Sequence, residues 1–277
     1  MISKNSKIKK IAQQKKGVIR AKTDFFRTAR YGLTLVEYRI IYITLLMGQQ
    51  NGTPFEPQTI SIAEFIEICG LKGQSSYSEV RNLSKTLLSK VVEVSYKDND
   101  GAHLLQCTWL TSVEYHAKQG TVTITPNKAL QPFFDGKPFT ETEFYFLIKF
   151  KSQYSERLYE ILKSFEFKPL VDFDIDDLRK RLAIGHQYPN YAHFNKYVLE
   201  PAIEDICEFT DLDVSIHEKR GQHNKVEHVF FTIHKKNIPK LAERVENGEF
   251  SSDLSDEEQL LFLDKLLCRY ECDGSDE

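Results

Sequence analysis

What most constrains the fold of this 277-residue chain is that it runs through the same order of elements twice. From residue 33, "LTLVEYRIIYITLLMGQQ" places apolar residues at 35, 38, 41, 42, 45 and 46, the spacing of one helical face. "NGTP" stops that helix. "TISIAEFIEICG" then reads as a short strand followed by a helix of little more than two turns, closed by Gly70. After the loop "LKGQSSYSE", the stretch "VRNLSKTLLSKV" carries apolar or small residues at 80, 83, 84, 87 and 88 on one side. "VVEVSY", the turn "KDNDG" and "HLLQCTWLTSVEY" read as a hairpin of alternating β-branched and aromatic residues around Asp-Gly. The second half replays this order. "YSERLYEILKSF" is a helix, "KP" a break, "VDFDIDDLRKRLAIG" a strand and short helix, and "HQYPNYAHFNKYVLEPAIEDICEF" a loop and long helix. "LDVSIHEKRGQHNKVEHVFFTIH" is a hairpin with its tip at "EKRGQHNK". The closest match pairs 61–71 with 174–184, so that Ile62 answers to Ile175, Phe65 to Leu178 and Leu71 to Ile184. "VEVSY" and "LDVSI" look like matching ends of the two units.

A helix, a helix–turn–helix and a hairpin make the winged-helix arrangement, whose second paired helix fits a DNA major groove while the hairpin lies along the phosphates. The expected fold class is α+β, two tandem winged-helix domains. Residues 1–20 read as a basic flexible arm and 21–143 as the first winged helix, serving dimerisation and DNA contact. Residues 144–250 read as the second and main DNA-binding winged helix, and 251–277 as an acidic tail. The overall charge of −3 conceals opposed ends. Residues 1–30 hold ten Lys or Arg against Asp24 alone, and 251–277 hold nine acids against Lys265 and Arg269. Within the tail, "SDEEQLLFLDKLLCRY" has Ser255 and Glu258 in capping-box spacing ahead of an apolar stripe, the pattern of a short amphipathic helix. No apolar run approaches the ~18 residues a membrane span needs, and the start lacks the apolar core of a secretory signal. Five scattered cysteines suit a reducing cytoplasm.

Candidate DNA contacts follow from this frame. Lys149, Lys151, Ser152 and Tyr154 stand at the start of the helix opening the second module, where backbone N–H groups and the helix dipole favour phosphate. Arg157, one turn further in, reaches phosphate or pairs with Glu160 or Glu156. On the second recognition helix, Tyr191, His193, Asn195 and Lys196 offer stacking, hydrogen bonds, adenine-type reading and a guanine or phosphate contact. Phe194, Tyr197 and Val198 are assigned to the core, and Pro201 kinks the helix or marks a short first segment. The matching candidates in the first module are Ser76, Ser78, Arg81, Asn82 and Lys85. Lys219, Arg220 and Lys225 make the second hairpin a basic wing.

Chemistry is not expected. Tyr159 and Lys163 stand four apart, but no G-x-G-x-x-G accompanies them, and Tyr159 reads as core with Lys163 exposed. No His-x-His pair exists to serve a strand-transferring tyrosine, and "DGKPFT" lacks the features of a nucleotide loop. Asp174 reads as a helix cap rather than a metal ligand, and His217 and His228 as a cross-strand pair. No cofactor, metal or catalytic residue is expected.

"KSQYSERLYEILKSF", "FDIDDLRKRLAI" and "YAHFNKYVLEPAIEDICEFTDLDVSI" together resemble the second winged helix of plasmid replication initiators, the Rep proteins of iteron-type plasmids. "LTLVEYRIIYITLL" resembles the opening helix of that family's first module, and the resemblance covers roughly 20–240. It implies a protein that binds direct repeats of double-stranded origin DNA as a monomer, helps to open the duplex, and recruits the host initiator, helicase and loader. It also implies dimerisation through the first module and repression of the protein's own promoter. A plain transcriptional repressor would have a similar sequence, whereas a nicking enzyme would need the missing histidines.

Overall fold

The computed structural model describes residues 17–69, 76–147, 149–222 and 225–236. Most of the predicted arm and the predicted tail helix lie outside the described residues. The first part comprises β1 (Val18–Lys22), α1 (Thr23–Thr28), α2 (Leu35–Gln50), β2 (Gln58–Ser61), α3 (Ile62–Cys69), α4 (Ser76–Leu88), β3 (Val91–Asp98), β4 (Gly101–Thr108), β5 (Leu110–His116), β6 (Thr121–Pro126), a 3-10 helix (Lys128–Phe133), β7 (Phe139–Glu143) and α5 (Phe144–Leu147). The second comprises α6 (Gln153–Lys163), β8 (Leu170–Asp174), α7 (Ile175–Arg181), α8 (Tyr191–Phe194), a π-helical turn (Asn195–Leu199), α9 (Glu200–Phe209), β9 (Leu212–Arg220) and β10 (Val226–Lys235).

Local chemistry sets where the helix–turn–helix units begin. Ser61 and Glu64 form a reciprocal box at the start of α3: Glu64 N donates to Ser61 Oγ at 3.1 Å and Ser61 N to Glu64 Oε2 at 3.1 Å. Asp174 takes the same place before α7, accepting from Asp177 N at 2.9 Å, as the sequence pairing of 61–71 with 174–184 requires. Each module then closes with a three-stranded antiparallel sheet of the same topology, β2-β6-β5 in the first and β8-β10-β9 in the second.

That topology corrects one reading of the repeat. The counterpart of β9 in the first module is β5, not β3, so "VEVSY" and "LDVSI" are not equivalent ends. β3 and β4 form a separate two-stranded hairpin inserted between α4 and β5. "HLLQCTWLTSVEY" is therefore two strands in two sheets, switching at Trp109, which is buried against Tyr31 and Phe25 with ring centres 5.0 and 6.0 Å apart. A second difference lies at the chain start. Val18–Arg20, assigned to the arm, are strand, with β1 paired along β7 from Val18↔Glu143 to Lys22↔Phe139.

α6 joins the two modules. Ser155 to Lys163 are all buried, because one side of the helix faces the second module's core and the other faces α1 and α2. Leu158, Ile161 and Leu162 each contribute about 1.5–3 kcal/mol by leaving water. Arg157, expected at a phosphate, is instead 2% exposed and crosses between the modules. Its Nη2 donates to Phe26 O at 3.1 Å and Ala29 O at 2.6 Å, its Nη1 to Tyr31 Oη at 3.1 Å and Glu160 Oε2 at 3.0 Å, and its Nε to Arg181 O at 3.2 Å. Tyr31 and Tyr42 both donate to Glu160. A guanidinium with every donor arm engaged inside the protein has none left for DNA. Lys163 is likewise buried rather than exposed, paired with Asp211 and, at 2.6 Å, with Glu166. Tyr159 is core as expected, its hydroxyl donating to Asp211 at 3.1 Å. Gly32 lets the modules approach closely, since a Cβ there would lie 2.9 Å from Ala183 Cβ.

Candidate nucleic-acid interface

The second recognition helix is built by its turn. Tyr188 sits in the left-handed region (φ 53°), and Arg179 Nη2 pins that backbone by donating to Gln187 O at 2.6 Å and Tyr188 O at 2.7 Å. Asn190 caps α8, accepting from His193 N at 2.8 Å. The helix then widens, and Glu200 N donates to Asn195 O, five residues back. Pro201 explains the widening, because its ring lacks an N–H and crowds the carbonyl four residues earlier. The short first segment expected there is present.

Phe194, Val198, Leu199, Ala202 and Ile206 bury one face, and Ala192, His193, Lys196, Tyr197 and Glu200 form the outward one. Two expectations are corrected. Tyr197 is not core; it is 50% exposed. Asn195 is half-buried on the flank, with Nδ2 donating to Glu200 Oε1 at 2.6 Å and Oδ1 buried without a hydrogen bond among the described residues, so it does not offer a free amide for bidentate reading of adenine. Tyr191 is half-buried beside it. Burial pushes its phenol up, and the Glu218 carboxylate adds to that shift.

The wing is formed by β9 and β10, which pair from Val226↔Arg220 to Lys235↔Leu212 with a bulge between Val226 and His228. Gly221 N donates to Lys225 O at 2.8 Å and Lys225 N to Gln222 O at 3.3 Å, closing the described part of the tip. Lys219, Arg220 and Lys225 are all exposed there; Arg220 also meets Glu218 at 2.7 Å. His217 lies opposite Phe230 and His228 opposite Lys219, so the expected histidine pair does not form; His228 Nδ1 meets Asp172 at 2.9 Å instead.

In the first module, Ser78, Arg81, Asn82 and Lys85 are exposed at i, i+3, i+4 and i+7 of α4, one continuous face. The opposite face is fixed by buried Leu87 and by Ser84, whose Oγ lies 2.6 Å from Tyr115 Oη on β5. Ser76 opens α4, but its side chain lies outside the described ones. The start of α6 departs from its expected role. Ser152 caps the helix, accepting from Tyr154 N at 3.2 Å. The buried Asp205 carboxylate accepts from Lys151 N at 3.0 Å and Ser155 Oγ at 2.6 Å. A carboxylate therefore occupies the place predicted for phosphate, and it repels a second anion. Lys151 Nζ faces Glu208 at 3.5 Å, Lys149 is half-buried, and Tyr154 Oη donates to Gln187 at 3.1 Å.

Two sequence profiles match this chain: one described as "Initiator Replication protein, WH1" over residues 18–163, the other as "Initiator Rep protein, WH2" over 174–233. The chain belongs to the initiator Rep protein family. Its sequence is 23% identical to the PI protein of Escherichia coli over 191 residues, which is 61% of this chain and 59% of that protein's length. Its fold matches the crystal structure of Pi initiator protein in complex with iteron DNA, with a TM-score of 0.59 at 17% identity, over 81% of this chain and 99% of that one. At that identity the likeness carries the architecture, which is two tandem winged helices.

In this initiator Rep protein, the residues gathered on exposed faces are Ser78, Arg81, Asn82 and Lys85 on α4, His193 and Lys196 on the second recognition helix, and Lys219, Arg220 and Lys225 on the wing. That second face also holds Ala192 and Tyr197, the latter assigned to the core from the sequence, with Arg179 and Tyr188 behind it. The signal for Tyr197 was Pro201, since a π turn before a proline shifts the phase of every residue it contains. Among the described residues no helix is long and apolar enough to cross a membrane.

Proposed function

We propose that this chain initiates plasmid replication by binding direct repeats of double-stranded origin DNA, one monomer engaging each repeat through both recognition helices. The observation that carries this reading is the pair of helix–turn–helix units in a single initiator-family chain, each with an outward polar face. On this reading 21–143 serves dimerisation and DNA contact, 144–250 is the main DNA-binding domain, and the protein works in the cytoplasm. It helps to open the duplex and recruits the host initiator, helicase and loader, with no chemistry of its own, and it also represses its own promoter. Footprinting on DNA flanking its gene tests the reading. Protection of ~20 bp direct repeats, about two helical turns each, is expected. Nicking of supercoiled origin DNA with Mg²⁺ present would instead make it an enzyme.

Phosphate and base contacts separate by their salt dependence. Lys219→Ala with Arg220→Ala is expected to weaken cognate and random duplexes alike and to make the slope of log affinity against log salt shallower by about two, roughly one per lost contact. Titration at several salt concentrations reads this directly; a loss confined to cognate DNA would place the wing at base edges.

Self-association through the first module rests on β4. It pairs with β3 alone among the described residues, leaves its other edge open, and carries Leu104 at 59% exposure. Leu104→Lys is expected to shift the full chain toward monomer at least tenfold in dissociation constant by light scattering. An unchanged constant would send the dimer contact elsewhere.

A further inference from the structure

We propose that Tyr197, braced by Tyr188, is a sequence-reading side chain of the second recognition helix, packing against the 5-methyl group of a thymine in the major groove. This rests on the reading of α8–α9 as a DNA-docking helix. Tyr197 lies on the outward face with Ala192, His193, Lys196 and Glu200, opposite the buried row of Phe194, Val198 and Ala202. Half of it is exposed, yet its ring is held. It stacks on Tyr188 with centres 5.8 Å apart and planes at 28°, and His193 lies 5.9 Å away. Tyr188 is there because of a backbone conformation that bulky residues rarely adopt, φ 53°, and Arg179 maintains it through two carbonyls while its guanidinium covers Phe194 at 4.8 Å. A strained turn, an arginine clamp and a core ring together present a fixed apolar wall on a face otherwise made for polar contact.

Lys196 Nζ lies 5.4 Å from the centre of the Tyr197 ring, bringing a positive charge to the same spot. Glu200, which accepts from the Asn195 amide, and Glu204 one turn further on are exposed acids of this helix, and they turn phosphate away from its centre. In the major groove the apolar group on offer is the thymine methyl, which aromatic and small apolar side chains recognise. Ala192, one turn earlier on the same face, leaves the ring room to reach a base edge.

The test uses the full chain and a duplex that it selects from a random-sequence pool. Each thymine of that duplex is replaced in turn by deoxyuridine, which removes only the methyl. One or two positions are expected to lose at least fivefold in wild-type affinity. Tyr197→Ala should lose a similar factor on the thymine duplex and show no further loss at those positions with deoxyuridine. Tyr197→Phe should keep the methyl dependence, since the hydroxyl is not the reading group. If Tyr197→Ala keeps the wild-type sensitivity at every position, or Tyr197→Phe loses as much as Tyr197→Ala, the proposal is overturned; the second result would mark a hydroxyl-to-phosphate contact. A chain that selects no sequence at all overturns the initiator reading as well, whereas a selected sequence with no methyl dependence overturns only this one.

Discussion

Arg157→Ala is expected to cost about 3–5 kcal/mol of unfolding free energy and to split one denaturation transition into two. The substitution removes a buried cation from Glu160, which keeps only the hydrogen bonds from Tyr31 and Tyr42. It also leaves Phe26 O and Ala29 O, carbonyls of the first module, without the donors that tie them to α6. Breaking a buried pair from one side is worse than lacking it, because the partner charge stays behind. Arg157→Lys should recover little, since an ammonium cannot spread across five acceptors as the planar fork does. The single tryptophan, Trp109, packs on Tyr31 at this junction, so its fluorescence reports the first module while far-ultraviolet dichroism reports both. Coincident transitions with a loss below about 1 kcal/mol would show that the network is ornamental.

Glu156→Gln is expected to stabilise the protein increasingly as pH rises above about 4.3 and to leave it unchanged below that. Both Glu156 carboxyl oxygens are buried without a hydrogen bond among the described residues. Burial holds its pKa well above the ordinary glutamate value; the nearby Glu160 charge adds to the rise and Arg39 opposes it. Below the unfolded-state value, about 4.3, the proton is bound in both states and nothing is gained by the amide. As pH rises from there toward the elevated folded value, the unfolded chain ionises while the folded one does not. Wild-type stability is then lost at up to about 1.4 kcal/mol per pH unit from this group. The glutamine variant lacks that slope. Urea midpoints from pH 4 to 8 should coincide at the acid end and diverge upward, and parallel curves would mean that Glu156 is not the titrating group.

The parts of the fold legible in the sequence were those fixed within a few residues. Asp174 announces its helix because a cap needs only its own first turn, and the matching element order was read from periodic runs and the Gly and Pro breaks between them. The β3–β4 hairpin was legible from its Asp-Gly turn, but its separation from β5 was not, because the chain changes sheets at Thr108–Trp109–Leu110 with neither glycine nor proline to mark it. Arg157 was misplaced for a different reason. Periodicity on α6 shows that the helix has an apolar face, but a polar residue on the other face looks the same whether it meets water or a second module. At the candidate site, the α4 face could be read because that helix is regular. Asn195 and Tyr197 exchanged places because a π turn rephased them.

The sharing of α6 between two cores has a consequence for counting. A chain whose halves meet through one buried polar knot behaves as a caliper rather than a pair of beads on a string. On B-DNA each added base pair moves the far half of a site by about 3.4 Å and turns it by roughly a tenth of a revolution. If both recognition helices engage one repeat, as proposed, a stiff caliper cannot follow both displacements at once, and the protein should accept one spacing between the two halves of its site.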